Sequence, residues 1–125
     1  MKKKIAILLP HKEQFNNKNA GAASIWVKDY LQNSNLNNET TVYGNLESGQ
    51  KPITKNFKNI SMKNTYLKKN LYYTKKFLEY CIKNNHKIIE IHNRPESLNY
   101  FFNLLRYMYS NVFLKGILPL YNCVM

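Results

Sequence analysis

Hydrophobic and polar positions along this chain form a succession of short apolar runs and longer amphipathic segments. Short apolar or β-branched runs, which are typical of strands, occur at residues 5–9, 40–44, 57–60 and 86–92. Apolar residues recur every three or four positions in three segments, and this spacing predicts helices near Ala23, over residues 66–84 and from Pro95 onward. The order of strand, helix, strand, strand, helix, strand and helix predicts an α/β domain with a mainly parallel sheet.

Each predicted helix has one apolar stripe that should face the sheet. In the first helix this stripe is formed by Ala23, Trp26, Val27, Tyr30 and Leu31. In the second helix it is formed by Leu67, Leu71, Thr74, Leu78, Cys81 and Ile82. In the third helix it is formed by Leu98, Phe101, Phe102 and Leu105.

The end of the chain fits this pattern least well. Residues 112–118 are apolar enough to form one more strand, and Leu120, Tyr121 and Val124 then have no predicted partner. We therefore predict a domain over residues 1–110 and an apolar tail over residues 111–125. The tail is either the last strand of the sheet or a sign that the domain has been cut short.

The composition is that of one globular domain with a strongly basic charge. A chain of 125 residues with 44% hydrophobic residues is large enough to bury a core. The formal charge of +12 has two interpretations, which we weight equally. It reflects either the drift of an AT-rich coding sequence onto solvated surfaces, or attraction to phosphates, nucleic acid or an anionic membrane.

The pattern favours a cytoplasmic chain without metal or disulfide. No apolar run approaches the roughly 20 residues of a membrane span. The lysines before the first apolar run resemble a signal peptide, but that run is too short and Pro10 ends it. Cys81 and Cys123 match no metal-ligand spacing, and Cys81 falls on an apolar stripe as a core residue would. No metal or other cofactor is therefore expected.

Small residues join the first predicted strand to the first predicted helix. Gly21 and Ala22 lie in this connection, where a glycine lets the backbone approach a ligand and helix N–H groups attract phosphate. Neither a dinucleotide-binding GxGxxG pattern nor a P-loop is present. Contact with a phosphate or sugar and tight packing of helix on sheet both remain open.

A second group of candidate residues follows the last central strand. His92 should lie at the carboxyl end of that strand, where its imidazole could orient or deprotonate a hydroxyl. Asn93, Arg94 and Glu96 come next, and an arginine there could bind a carboxylate or phosphate. His11 ends the first strand and could join the same cleft. The alternative is a histidine that caps backbone groups beside a solvated arginine.

Lysines and tyrosines alternate along the second predicted helix. The candidates for contact with an anionic membrane surface are Lys68, Lys69, Tyr72, Tyr73, Lys75 and Lys76. The same pattern could suit nucleic acid, and a plain solvated lysine face is the third interpretation. No serine–histidine–aspartate order or pair of carboxylates that would suit other catalytic mechanisms stands out.

Three segments in this order resemble the N-terminal domain of family 4 glycosyltransferases. They read KIAILLPHKEQF…NAGAASIWVKDYL, then TTVYGN, then KIIEIHNRPESLNYF, and the similarity runs from about residue 3 to residue 102. These enzymes have two Rossmann-like domains in the arrangement called GT-B, and transfer a sugar from a nucleotide-sugar in the cleft between them. The resemblance implies a mainly parallel sheet with helices on both faces, forming an incomplete single domain of such an enzyme.

The resemblance also implies roles for the candidate residues. Gly21 and Ala22 match the loop near the donor phosphates, and His92 matches a histidine on the acceptor side that we take as the catalytic candidate. Arg94 and Glu96 match residues that shape the acceptor pocket, and we place His11 and Asn93 with them. The lysine-rich helix matches the position at which some members contact a membrane, which implies peripheral attachment to the inner face of the plasma membrane.

The chain departs from the family because it has no counterpart of the C-terminal domain that holds the nucleotide-sugar. The expected function is therefore the first domain of an enzyme of cell-surface polysaccharide synthesis, inactive by itself, with a polysaccharide or lipid-linked acceptor. A separately encoded C-terminal domain is a further expected partner. The alternative from another class is a small basic module that binds anionic lipid or nucleic acid, of which nucleic acid is the less expected partner.

Overall fold

The structure is a computed structural model that describes residues 4–62, 68–92, 95–109 and 120–124. Within these residues, three helices pack on one five-stranded sheet. In chain order the elements are β1 (Ile5–Leu8), α1 (Ala22–Asn33), β2 (Thr40–Gly44), β3 (Phe57–Asn59), α2 (Lys69–Lys83), β4 (Ile88–His92), α3 (Pro95–Tyr109) and β5 (Leu120–Val124). A single 3-10 turn, Asn37–Glu39, precedes β2.

The sheet has the strand order β3-β2-β1-β4-β5, and each neighbouring pair of strands is parallel. This order begins at the centre with β1 and grows outward on both sides, as in Rossmann-like domains. Ile5 lies level with Thr40 on one side and with Ile88 on the other. The predicted α/β class with a mainly parallel sheet is confirmed.

Alternate side chains of the central strands belong to two separate cores, one on each face of the sheet. On one face α1 packs on residues that include Ile5, Ile7 and Val42. On the other face α2 and α3 pack on residues that include Ala6, Leu8, Tyr43, Ile89 and Ile91. Strands buried on both faces are continuously apolar, which explains why β1 is a plain apolar run in the sequence.

The predicted helix stripes are partly wrong. Three residues that were expected to face the sheet are substantially exposed, namely Trp26 at 47%, Ile82 at 43% and Phe102 at 37%. In α2 the predicted core positions Thr74, Leu78 and Cys81 are confirmed, and they are joined by Tyr73 and Phe77. The helix is turned so that two aromatic residues enter the core and Ile82 leaves it, because periodicity does not determine which edge of a stripe reaches the sheet.

The described part of the apolar tail is a strand. β5 starts at Leu120, beyond the predicted strand over 112–118, which lies outside the described residues. It pairs in parallel with β4, with Ile88 level with Leu120 and His92 level with Val124. The sequence pattern offered no partner for this apolar segment. In the structure its partner is the open edge of β4.

No helix in the described part of the chain is long and apolar enough to cross a membrane.

The core between α2 and β2 contains the Cys81 thiol and the Tyr43 phenol. Both groups ionise less readily in the folded protein than in the unfolded chain. Burial raises the pKa of the Cys81 thiol, and burial together with the neighbouring Cys81 raises the pKa of the Tyr43 phenol. The unfolded chain therefore loses these protons first, at about pH 8.5 for the thiol and about pH 10 for the phenol. The contribution of these two protonated groups to the free energy of unfolding is therefore complete at neutral pH. It is lost as the pH rises above these values.

We expect the free energy of unfolding to fall between pH 8 and pH 11, and Cys81→Ala should delay the onset of that fall to about pH 10. Urea unfolding of both proteins across this range measures the effect. The Tyr43 phenol ionises only above about pH 10 in the unfolded chain, so a difference between the curves that begins near pH 8.5 is due to the thiol. Parallel curves would contradict the prediction.

Candidate functional site

The carboxyl ends of the central strands are surrounded by the loop after β1, the start of α1 and the end of β4. The loop after β1 begins with a turn in which the Glu13 N–H donates to the Pro10 carbonyl at 3.1 Å. It is tied to the loop after β2, because the Asn45 side chain donates to the His11 carbonyl at 3.2 Å. These bonds fix the loop at the edge of the sheet where ligands of parallel sheets bind.

The Glu13 carboxylate lies on the N-terminus of α1. It accepts hydrogen bonds from the Ala23 and Ser24 N–H groups at 3.4 and 3.1 Å, and from the Ser24 hydroxyl at 3.1 Å. Gly21 precedes the helix and has no side chain to cap it. A Cβ atom at Gly21 would overlap the end of the Glu13 side chain, so a larger residue there would displace the carboxylate from the helix start.

This arrangement bears directly on the predicted phosphate loop at Gly21 and Ala22. The N–H groups that would bind a phosphate already bind Glu13, and a negative charge is favoured there by the helix dipole. A phosphate could occupy this position only if the carboxylate moved away. The role of the loop in donor binding stays a prediction, and its structural role is to admit an internal cap.

We expect Glu13→Ala to lower the free energy of unfolding by about 1–2 kcal/mol, because the first turn of α1 loses its acceptor. Glu13→Gln keeps one acceptor oxygen, so its free energy of unfolding should fall by less. Urea unfolding of the two variants checks this ranking. Unchanged stability in Glu13→Ala would show that water replaces the carboxylate without cost.

His92 is buried on the face of the sheet that α1 covers. Only 3% of its surface is exposed, and its ring lies against the indole of Trp26 with 5.1 Å between ring centroids. The Nε2 atom lies 3.5 Å from Oε2 of Glu90, two residues earlier on β4, without forming a hydrogen bond. Neither atom has a hydrogen-bond partner among the described residues. The pair can form an ion pair when the imidazole is protonated.

His11 does not share this environment. Its ring lies against Tyr73 of α2, with 5.6 Å between centroids, whereas His92 lies against Trp26 of α1. Because α1 and α2 pack on opposite faces of the sheet, the two histidines are directed to opposite sides of the edge. The expectation that they line one cleft is not supported by these ring contacts.

Glu96 joins the starts of two helices. Its carboxylate accepts a hydrogen bond from the Asn70 side chain at 2.9 Å and from the Tyr100 hydroxyl at 2.6 Å. It therefore links α2 to α3 near the carboxyl edge, and any contact with an acceptor would compete with these bonds. Asn93 and Arg94, the other two predicted acceptor residues after β4, lie outside the described residues.

The lysines of the predicted membrane-facing surface lie on the outside of α2, whereas one of its tyrosines lies in the core, and contact with a membrane stays a prediction. Lys68, Lys69 and Lys75 are exposed, and Lys76 forms an ion pair with Glu79 at 3.1 Å. Tyr72 lies half-buried beside Lys76, whose Nζ is 5.9 Å from its ring centroid. Tyr73 is 1% exposed, and its hydroxyl donates to the Leu9 carbonyl at 2.6 Å. Its aromatic ring belongs to the core.

The described residues contain no group of three histidine, cysteine or acidic side chains that could hold a metal ion. Cys81 is a buried free thiol in the core beneath α2.

Three residues of the site were not singled out from the sequence as functional. Glu13 was passed over because it caps a helix that begins nine positions later in the chain. Glu90 was counted only as a strand residue, although its position two before His92 places both on one face of β4. Trp26 was assigned to the core, and the signal that it borders His92 exists only in the packed structure.

No protein-family model, curated protein or solved structure matches the chain. The fold and the local chemistry therefore carry the functional argument.

Proposed function

We propose that the chain is the acceptor-side domain of a glycosyltransferase, which transfers a sugar from a nucleotide-sugar to a polysaccharide or lipid-linked acceptor. The observation that carries the proposal is the position of His92. It ends a central strand of a Rossmann-like sheet, and Glu90 lies 3.5 Å from its Nε2 atom. This is the edge at which parallel sheets bind ligands, and the order of motifs in the sequence supports the same function.

In the proposed reaction His92 acts as the general base. The acceptor hydroxyl attacks the anomeric carbon of the donor sugar, its proton passes to His92, and the nucleotide diphosphate departs with the electrons of the broken bond. The Glu90 carboxylate stabilises the imidazolium that forms, because unlike charges 3.5 Å apart attract in a partly buried site. The groups that would neutralise the departing diphosphate belong to the second domain of such an enzyme, so the chain alone is expected to be inactive.

The test joins the chain to the C-terminal donor domain of a family 4 glycosyltransferase. Radiolabelled nucleotide-sugars are offered with oligosaccharide and lipid-linked acceptors, and transfer of label is measured. We expect transfer by the joined protein and none by either part alone. A folded joined protein that hydrolyses or transfers none of the donors would contradict the proposal.

A second candidate function is that of a basic module that binds anionic lipid. The observation that favours it is the exposed group Lys68, Lys69 and Lys75, none of which forms an ion pair with another described residue. Co-sedimentation with phosphatidylserine and phosphatidylcholine vesicles tests this function. A parallel binding assay with duplex DNA tests whether the chain binds nucleic acid. Selective, salt-sensitive binding to phosphatidylserine that Lys68→Glu and Lys75→Glu abolish would support this function, whether alone or as membrane attachment of the proposed enzyme.

A further inference from the structure

Trp26 is the single tryptophan of the chain and lies half-exposed on α1. An indole buries a large apolar area when it enters a core, so 47% exposure leaves much of that area in water. The indole borders the candidate site, because its ring lies against the ring of His92. An aromatic surface in this place can bind a ligand that also reaches the histidine.

Tyr30 holds the indole in a fixed orientation. The two rings are nearly parallel, with an angle of 4° between their planes, and their centroids are 5.5 Å apart. At this separation parallel rings are offset rather than eclipsed, which is the favoured stacking arrangement. The pair lies one helical turn apart on α1 and forms a preordered aromatic surface, which reduces the entropy that a ligand would lose on binding.

Polar groups border this surface on the side of the sheet. His92 Nε2 and Glu90 Oε2 are buried and lack a hydrogen-bond partner among the described residues. Buried polar atoms without partners are uncommon and call for an explanation. Aromatic surface beside a donor and an acceptor is the combination that suits a polyhydroxylated ring, whose C–H groups contact the aromatic face while its hydroxyl groups bond to the polar atoms.

The acidic groups that the described residues place near this surface favour a neutral ligand over an anion. Asp29 is exposed on α1 three residues after Trp26, within one helical turn, and Glu90 lies beside His92 on β4. Two carboxylates flank the aromatic pair although the chain as a whole has a charge of +12. Among the described groups, these two carboxylates favour a neutral sugar over a phosphate.

We propose that Trp26 and Tyr30 form a stacking platform for a neutral pyranose unit of the acceptor, with His92 and Glu90 at its inner border. The inference rests on the proposed function, in which the acceptor is a glycan. The ring centroids of Trp26 and His92 are 5.1 Å apart, so a sugar on the indole lies within reach of the imidazole. The platform positions the acceptor, and His92 takes its proton.

The fluorescence of Trp26 provides a direct assay, since no other tryptophan contributes. The full chain is titrated with linear tetrasaccharides of β-linked glucose, α-linked glucose and N-acetylglucosamine, in the absence of any donor. We expect a saturable change in emission with at least one of them and none with uridine diphosphate. No saturable change with any of the three sugars would overturn the proposal.

Two variants separate stacking from a general effect. Tyr30→Ala keeps the fluorophore and should weaken sugar binding about two- to tenfold, the range expected for loss of an aromatic stack. Tyr107→Ala removes a tyrosine of α3 that is 76% exposed and serves as the matched control, with binding unchanged. Equal weakening in both variants would overturn the platform. Sugar binding without transfer in the joined protein would contradict the enzyme function and leave the platform intact. Transfer by the joined protein without sugar binding at Trp26 would support the enzyme function and contradict the platform.

Discussion

Replacing His92 with alanine should lower sugar transfer by about 10²- to 10⁴-fold in the chain joined to a donor domain, which is the usual contribution of a general base. The acceptor hydroxyl would have no group to take its proton as it attacks. Glu90 lies 3.5 Å from the Nε2 atom, and in the proposed mechanism it stabilises the imidazolium and does not take the proton itself. Steady-state kinetics with saturating acceptor measures the loss in kcat.

Because His92 is 3% exposed, its removal also leaves a cavity, and a structural loss must be distinguished from a chemical one. His92→Gln fills most of that space and provides a polar side chain without a useful base. We expect this variant to unfold at nearly the wild-type urea concentration and still to show the loss in kcat. Full activity in a folded His92→Gln protein would remove His92 from the mechanism.

Phe77→Ala should lower the free energy of unfolding by about 3–5 kcal/mol, the usual cost of deleting a buried aromatic ring. Phe77 is fully buried and contacts Tyr43 of β2 and Phe101 of α3, at centroid distances of 5.3 and 6.0 Å. It therefore connects two helices to the sheet at once. Urea unfolding followed by circular dichroism measures the change.

The matched control lies on the same helix. Ile82→Ala removes an apolar side chain that is 43% exposed, and its effect should stay near 0.5 kcal/mol or below, as is usual for surface positions. The sequence pattern predicts the opposite ranking, because it places Ile82 in the core stripe and omits Phe77. Equal losses in the two variants would mean that α2 is rotated from the orientation described here.

The order and type of the elements were predictable because they depend on local patterns. The apolar run of β1, the β-branched run of β2 and the helical spacing of α2 and α3 each mark their own element. Whether the segment of β5 forms a strand was left open by the sequence, because an apolar segment becomes a strand only where a neighbouring strand offers an edge. That edge belongs to β4, about 30 positions earlier in the chain.

The sequence predicted where the candidate site lies, but it predicted less well which residues come together there. Placing His92 at the end of a central strand needed only the strand pattern and the rule for ligand sites in parallel sheets. That His92 and His11 face opposite sides of the edge depends on which helix covers each face, and no local pattern contains that information. The same holds for Tyr73, which alternates with lysines in the sequence and yet donates a buried hydrogen bond to Leu9.

By itself, the sequence determined the α/β class, the order of the elements and the edge of the sheet at which function is sought. These follow from hydrophobic periodicity and from turn residues, which act over a few positions of the chain. Only the tertiary structure decided that Glu13 occupies the start of α1, that Trp26 stays half-exposed beside His92, and that β5 pairs with β4. These contacts join residues distant in the chain, and they depend on how the helices rotate and pack against the sheet.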